Sequence, residues 1–443
     1  MVVHSILPCR YNRIWHFPSI YWTFETHKCK IALKILSLRQ KRMNSAYLID
    51  GVRTPIGSFG GSLSPVRADD MLAWVIKKLL EKQPSLDPLS IVDVIVGCAN
   101  QAGEDNRNVG RMATLLAGLP VEVPAQTVNR LCASGLAAAM DAARYIQCGD
   151  AEVMIAGGVE QMTRAPWVIS KTSTPFGRDA QMHDSTFGWR FINPLLQSLY
   201  GTDSMGKTAE NLAEMYKINR ADQDLFAYRS QQKAATAIQN GRLDKEIVNV
   251  EIPMKRGEVH IFSQDEFVKA STSLDVLAKL KTVFRNDGTV TAGNSSGLND
   301  GAVALLLASD KGIKAHGLTP TARFVASGVA GVEPRIMGIG PVPASQIALK
   351  KAGLTIAKMD IIELNEAFAA QSLACTRAFG IDDNDPRVNP NGGAIALGHP
   401  LGMSGARILN TAAIELQVQR KRYALVTMCI GVGQGYAVIL ERV

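Results

Sequence analysis

The sequence predicts an α/β fold made by duplicating one domain, with helices flanking sheets. Two observations predict it: short apolar strands alternate with Ala-rich amphipathic helices, and the order of these elements recurs in the second half. A third observation, a long polar and aromatic stretch interrupting only the first copy, predicts an inserted loop domain.

The apolar runs at Ser45–Ile49, Asp93–Gly97, Glu152–Ala156, Ala302–Ala308, Asp360–Leu364, Ala424–Met428 and Tyr436–Leu440 predict strands. Helical spacing of apolar residues predicts helices over Leu136–Gln147, Ala221–Asn240, Ala344–Ala352, Ala367–Phe379 and Gly405–Gln419. The repeat is read from paired segments. Asp93-Val-Ile-Val-Gly-Cys98 matches Asp360-Ile-Ile-Glu-Leu-Asn365, and Ser134-Gly135 opens one Ala-rich helix as Ser404-Gly405 opens another. Each helix leads to a strand that ends in a Gly turn, and each half closes on a last strand. A match of this length indicates domain duplication, not a short-period solenoid. The expected division is 43–162 with 290–315 as the first copy, 163–289 as the insertion and 316–443 as the second copy.

With 443 residues the chain is long enough for more than one domain, and 47% hydrophobic residues describe an ordinary globular protein. No apolar run reaches the length of a membrane span, so no membrane is expected as a partner. The net charge of +8 suggests nucleic acid until it is located. Residues 1–42 hold eight Lys/Arg against the single acid Glu25, leaving only +1 for the remainder, so no nucleic acid is expected. Residues 1–42 are expected to be an extension outside the fold, with a cleaved organelle presequence as the alternative. Cys98, Cys132, Cys148, Cys375 and Cys429 never form a Cys-x-x-Cys pair, so neither a disulfide framework nor a metal site is expected. A reducing, cytoplasmic setting fits free thiols.

Three residues carry the candidate chemistry. Cys132, in Asn129-Arg-Leu-Cys-Ala-Ser-Gly-Leu136, stands where a loop gives way to a helix. The unpaired N–H groups there favour thiolate and can hold an oxyanion. The plain alternative is a small buried hydrophobe. His399 lies in a segment with glycines at 392, 393, 398, 402 and 405. That spacing fits neither a P-loop nor a dinucleotide fingerprint, and a base for a thiol is the better use; a structural loop histidine is the alternative. Cys429, in Thr427-Met-Cys-Ile-Gly-Val-Gly-Gln-Gly435, ends a strand where open α/β sheets place their sites, or else is a core cysteine. Asn365 also stands at a strand end, where it orients a water or caps the next helix. One cysteine with one histidine suggests acyl transfer, and a second cysteine suggests a second proton transfer. These residues do not by themselves identify coenzyme A.

Together the motifs Asn129-Arg-Leu-Cys132-Ala-Ser-Gly, Thr291-Ala-Gly-Asn-Ser-Ser-Gly-Leu-Asn-Asp-Gly301, Asn365-Glu-Ala-Phe, Gly398-His-Pro-Leu-Gly402 and Cys429-Ile-Gly-Val-Gly-Gln-Gly resemble the thiolase family across Met43–Val443. The resemblance implies the duplicated five-layer α-β-α-β-α thiolase fold, a homodimer or homotetramer, and coenzyme A as co-substrate with no permanently bound cofactor. It implies that Cys132 attacks the 3-keto carbon of a 3-oxoacyl-CoA while His399 takes its proton. Cys429 would protonate the departing carbanion and then deprotonate the incoming CoA thiol. One oxyanion hole would use His399 with a water held by Asn365, the other the N–H groups of Cys132 and Gly431. Ser296 and Phe368 match positions beside the pantetheine arm, Met205 one beside the acyl pocket, and Ala292 belongs to the same binding set.

One departure narrows the expectation. Asp203-Ser204-Met205-Gly206, Phe187-Gly-Trp-Arg-Phe-Ile-Asn-Pro194 and Gly380–Pro390 look like the 3-oxoadipyl-CoA branch of aromatic-compound breakdown, not the acetoacetyl-CoA branch. A dicarboxylic acyl group needs a cation at its far end, and Arg190 is the candidate. General 3-ketoacyl-CoA or acetoacetyl-CoA thiolysis, a ketosynthase-type condensing enzyme and a non-catalytic acyl-CoA carrier are the rival readings. The condensing enzyme would normally place a second histidine or an Asn where this chain has Cys429 and Asn365, and the carrier need not keep Cys132, His399 and Cys429.

Overall fold

Apolar residues on both faces of Ile91-Val-Asp-Val-Ile-Val-Gly97 fit a strand covered on both sides, and the computed structural model, which describes Asn44–Val443, makes it one. The extension 1–42 lies outside the described residues. In chain order the first half comprises β1 (Tyr47–Arg53), α1 (Ala68–Glu81), β2 (Ile91–Gly97), β3 (Ala125–Val128), α2 (Ser134–Cys148) and β4 (Val153–Gln161). A long excursion carrying α3 (Met205–Met215) and α4 (Arg220–Gln239) precedes β5 (Asn299–Ala308). The second half comprises β6 (Ala322–Gly331), α5 (Pro341–Ala352), β7 (Ile361–Leu364), α6 (Ala369–Ala378), α7 (Leu401–Val418), β8 (Tyr423–Ile430) and β9 (Gln434–Arg442).

Strand order proves the duplication. The first half runs β3-β2-β4-β5-β1, and the second runs β7-β8-β9-β6, extended beyond β7 by a parallel bridge from Ile362 to Val388. In both halves the inner pair (β2 with β4, β7 with β8) is parallel and the later strands are antiparallel. The halves join where Tyr47 and Leu48 of β1 pair with Arg323 and Ala322 of β6.

The layers follow from what each helix buries. α1 places Met71, Leu72, Val75, Ile76 and Leu79 on the outer face of the first half-sheet. α5 places Ala344, Ala348 and Leu349 on the outer face of the second. α2 and α7 lie between them, in one apolar cluster with Ile95 and Leu305 from the first half and Val426 and Val438 from the second. The order is therefore α-β-α-β-α. Each fully buried Leu or Ile contributes about 1.5–3 kcal/mol, so the helices are held mainly by packing.

Several elements depart from the sequence expectation; β3 and α3 were not expected, and three more departures have a clear physical reason. β6 is a strand despite Arg323, Ser327, Gly328 and Gly331, because antiparallel pairing with β9 supplies what its broken apolar pattern does not. α1 forms although no side chain caps its start at Arg67. α7 begins at Leu401, four residues before Gly405, because Pro400 O accepts the N–H groups of Met403 and Ser404.

Four glycines at the centre set the approach of the halves. A Cβ on Gly135 would stand 2.5 Å from Gly402 O, and one on Gly402 would stand 2.7 Å from Gly97 O. A Cβ on Gly158 would also strike Gly402 O. Only hydrogen at these Cα positions lets α2, α7, β2 and β4 converge. Cys132 lies three residues before Gly135, and His399 three residues before Gly402.

Candidate active site

Cys132 sits on a tight turn ahead of α2. Leu131 before it has φ of 47°, a left-handed conformation rare for leucine, and the turn is locked from both sides. Ser134 Oγ donates to Leu131 O (2.6 Å) and accepts from Arg130 N–H (2.8 Å), while Asn129 Oδ1 accepts from Leu131 N–H (2.9 Å). The thiol is half-buried. Burial pushes it up to about 11, opposed by the backbone N–H groups of Gly431 and of Cys132 itself. Those are the two donors expected of one oxyanion hole.

His399 is 5% exposed and its tautomer can be assigned. Ser404 Oγ donates to Pro400 O (2.8 Å), so at 2.6 Å it accepts from His399 Nδ1–H. Nε2 then carries the lone pair, and Asn365 Nδ2 lies 3.4 Å from it. Burial, reinforced by the Arg407 guanidinium, pushes the imidazole down to about 3, so the ring is neutral. Asn299 Oδ1 accepts the His399 backbone N–H (3.0 Å) and its Nδ2 donates to Gly57 O (3.0 Å), tying the histidine loop to the first half. Asn365 is fixed by its N–H to Thr427 O (3.1 Å), and its buried Oδ1 has no partner among the described residues.

Cys429 ends β8, 1% exposed, and its thiol is pushed well up by burial and by the neighbouring Cys132. It shares an apolar cluster with Phe368 and Met205. Ser296 N–H donates to Ala367 O (3.0 Å) beside Phe368, whose ring meets Phe284 edge-on at 6.3 Å. Ala292 is exposed and is not brought into this group.

A pocket of about 200 Å³ opens onto the nucleophile. Its wall includes Cys132, Gly431, Met205 and Arg190, together with Asn100, Glu160 and Trp189. Arg190 makes no ion pair with a described acid; its Nη2 donates to Asn100 Oδ1 (3.0 Å).

Sequence reasoning missed several supports. Ser404 was legible as half of the repeated Ser-Gly pair but reads there only as a helix start. Glu160 had a signal, a lone carboxylate closing the apolar run Val153–Val159. Asn299 was legible only as part of the motif Thr291–Gly301, without a role, and Asn100 had no signal, since a loop asparagine is unremarkable until its neighbours are known.

Comparisons with known proteins give the family. Residues 46–311 match the thiolase N-terminal domain and residues 318–442 the thiolase C-terminal domain. A protein of Escherichia coli K12 called 3-oxoadipyl-CoA/3-oxo-5,6-dehydrosuberyl-CoA thiolase is 59% identical, covering 90% of this chain and all of its own. A beta-ketoadipyl-CoA thiolase of Acinetobacter baylyi is 58% identical, again over 90% of this chain and all of its own. An acetyl-CoA acetyltransferase of Pseudomonas aeruginosa is 48% identical over the same shares. Human mitochondrial 3-ketoacyl-CoA thiolase superposes with a TM-score of 0.83 at 40% identity, covering 90% of this chain and 99% of that one. The chain belongs to the thiolase family.

Proposed function

We propose that the chain cleaves 3-oxoadipyl-CoA with CoA to give succinyl-CoA and acetyl-CoA, through an acyl-cysteine on Cys132. The observation that carries this reading is Arg190, a guanidinium with no carboxylate partner among the described residues, in the wall of the pocket that holds Cys132. The higher identity to relatives named for 3-oxoadipyl-CoA than to the acetyl-CoA acetyltransferase supports the same choice.

In the first half-reaction Cys132 Sγ bonds to the 3-keto carbon while its proton passes to His399 Nε2. The raised thiol and lowered imidazole make a free thiolate–imidazolium pair costly, so this transfer is coupled to attack. The new oxyanion is held by His399 and by a water whose O–H the unpaired Asn365 Oδ1 accepts. The C2–C3 bond then breaks, Cys429 gives its proton to the acetyl-CoA carbanion, and succinyl stays on Cys132. In the second, the CoA thiol yields its proton to Cys429 and its sulfur attacks the thioester. The N–H groups of Cys132 and Gly431 hold that oxyanion, and His399 returns its proton as Cys132 leaves. Ser296, Phe368 and Met205 flank the pantetheine and acyl path. The segment 163–289 carries the determinants of the acyl tail, on a scaffold made of 43–162, 290–315 and 316–443. CoA is a co-substrate, no permanent cofactor takes part, and the working form is a cytoplasmic homo-oligomer.

A thiolysis assay on 3-oxoadipyl-CoA, acetoacetyl-CoA and longer 3-oxoacyl-CoAs tests the reading. The expected result is the highest kcat/KM for 3-oxoadipyl-CoA, with that preference reduced about tenfold or more in Arg190→Ala. Equal preference in the two proteins would sink the assignment of Arg190.

A further inference from the structure

We propose that Asn100 is a specificity-positioning residue: buried Glu160 fixes its backbone, and its side-chain oxygen holds Arg190 with the free edge of the guanidinium toward the pocket. The inference rests on the reading that Arg190 receives the far carboxylate.

The loop after β2 is wrapped around two buried carboxylates. Glu160 Oε2 accepts from Ala99 N–H (3.0 Å) and Gly402 N–H (2.8 Å), and Oε1 accepts from Asn100 N–H (3.0 Å). Asp105 accepts from Gln101 N–H (3.1 Å) and Gly103 N–H (2.9 Å). All four oxygens are thus occupied by backbone donors, and the group, in which one oxygen of each carboxylate clusters with Cys98 Sγ, is a clamp, not a cation site. Gln101 has φ of 55°, a strained conformation that the clamp holds in place. Asn129, from the Cys132 turn, donates to Ala99 O (2.9 Å), so the loop is registered to the nucleophile as well.

The orientation of the Asn100 amide follows. Ser185 Oγ donates to Pro166 O (2.5 Å) and therefore accepts, at 3.4 Å, from Asn100 Nδ2. This leaves Asn100 Oδ1 to accept from Arg190 Nη2 at 3.0 Å, while Ser185 O accepts from Arg190 Nη1 at 3.4 Å. One side of the fork is held, and its remaining N–H groups are left for a planar carboxylate. Glu160 also binds the start of α7, three residues beyond His399, so one buried carboxylate sets both ends of the acyl site.

The experiment is steady-state thiolysis with Asn100→Ala, Asn100→Asp, Arg190→Ala and the Asn100→Ala/Arg190→Ala double variant, with thermal melting of each protein. In Asn100→Ala the ratio of kcat/KM for 3-oxoadipyl-CoA over acetoacetyl-CoA should fall about tenfold, mainly through KM. Asn100→Asp should lower it further, because its own carboxylate occupies the guanidinium. In the Arg190→Ala background the Asn100 change should leave the ratio where it is, a coupling that a general structural defect does not produce. A ratio within about twofold of wild type in Asn100→Ala overturns the proposal alone, provided Arg190→Ala lowers it. No preference in the wild type overturns the proposal and the reading beneath it together.

Discussion

At the scale of single residues, the site is built by making ionisation expensive. His399 is held near 3 by burial and by Arg407, below its ordinary 6.5. As pH falls below about 6.5 the unfolded chain takes up a proton that the folded chain refuses until pH nears 3, so stability is lost across that window. Buried Glu363, raised to about 8, acts in the opposite sense, since the folded chain keeps a proton that the unfolded chain releases above about 4.5. The histidine must therefore be isolated by difference. Urea unfolding of wild type and His399→Asn over pH 4–8 should show the wild-type advantage shrinking as pH falls below about 6.5. A constant difference would contradict a neutral buried imidazole.

At the scale of elements, catalytic geometry comes from how closely two helices approach. α2 begins with Ser134-Gly135 and α7 carries Ser404-Gly405 near its start, and the two serines lock the turns that carry Cys132 and His399. Gly402→Ala would bring a methyl to 2.7 Å from Gly97 O and 2.9 Å from Cys98 Cα, backbone that cannot move cheaply. We expect a loss of about 1–3 kcal/mol in stability from this overpacking. Because His399 rides on the same turn, kcat should fall about a hundredfold, as displacements near 1 Å do in catalytic sites. Unfolding midpoints and kcat measured on one preparation check both, and an unchanged kcat would remove the glycine contact from the account of the site.

At the scale of the whole molecule, buried charge ties the excursion between β4 and β5 to the sheet. Arg53 of β1 is fully buried, with Nε 3.0 Å from Glu246 and Nη1 2.7 Å from Asp265. Arg53→Met strands two carboxylates in the interior and should cost about 3–5 kcal/mol, read from the guanidinium unfolding midpoint. A loss under about 1 kcal/mol would mean that the pair is solvated. The same level explains the charge balance: the basic excess belongs to residues 1–42, and the remainder, near neutrality, pairs its charges internally.

The sequence by itself determined the α/β class and the duplication, and it singled out Cys132, His399, Cys429 and Asn365 as the candidate chemistry-bearing residues. Strand-and-helix periodicity and motif spacing are local, so they survive without coordinates. Strand β6 was not legible, because its polar and glycine positions become strand only against β9. The proton on His399 Nδ1 was not legible either, since it depends on where Ser404 sends its own. Tertiary structure alone decided which residues support the site. Glu160, Asn100 and Asn299 come from segments up to about two hundred residues apart, and only close approach of the halves turns ordinary polar residues into one hydrogen-bonded frame.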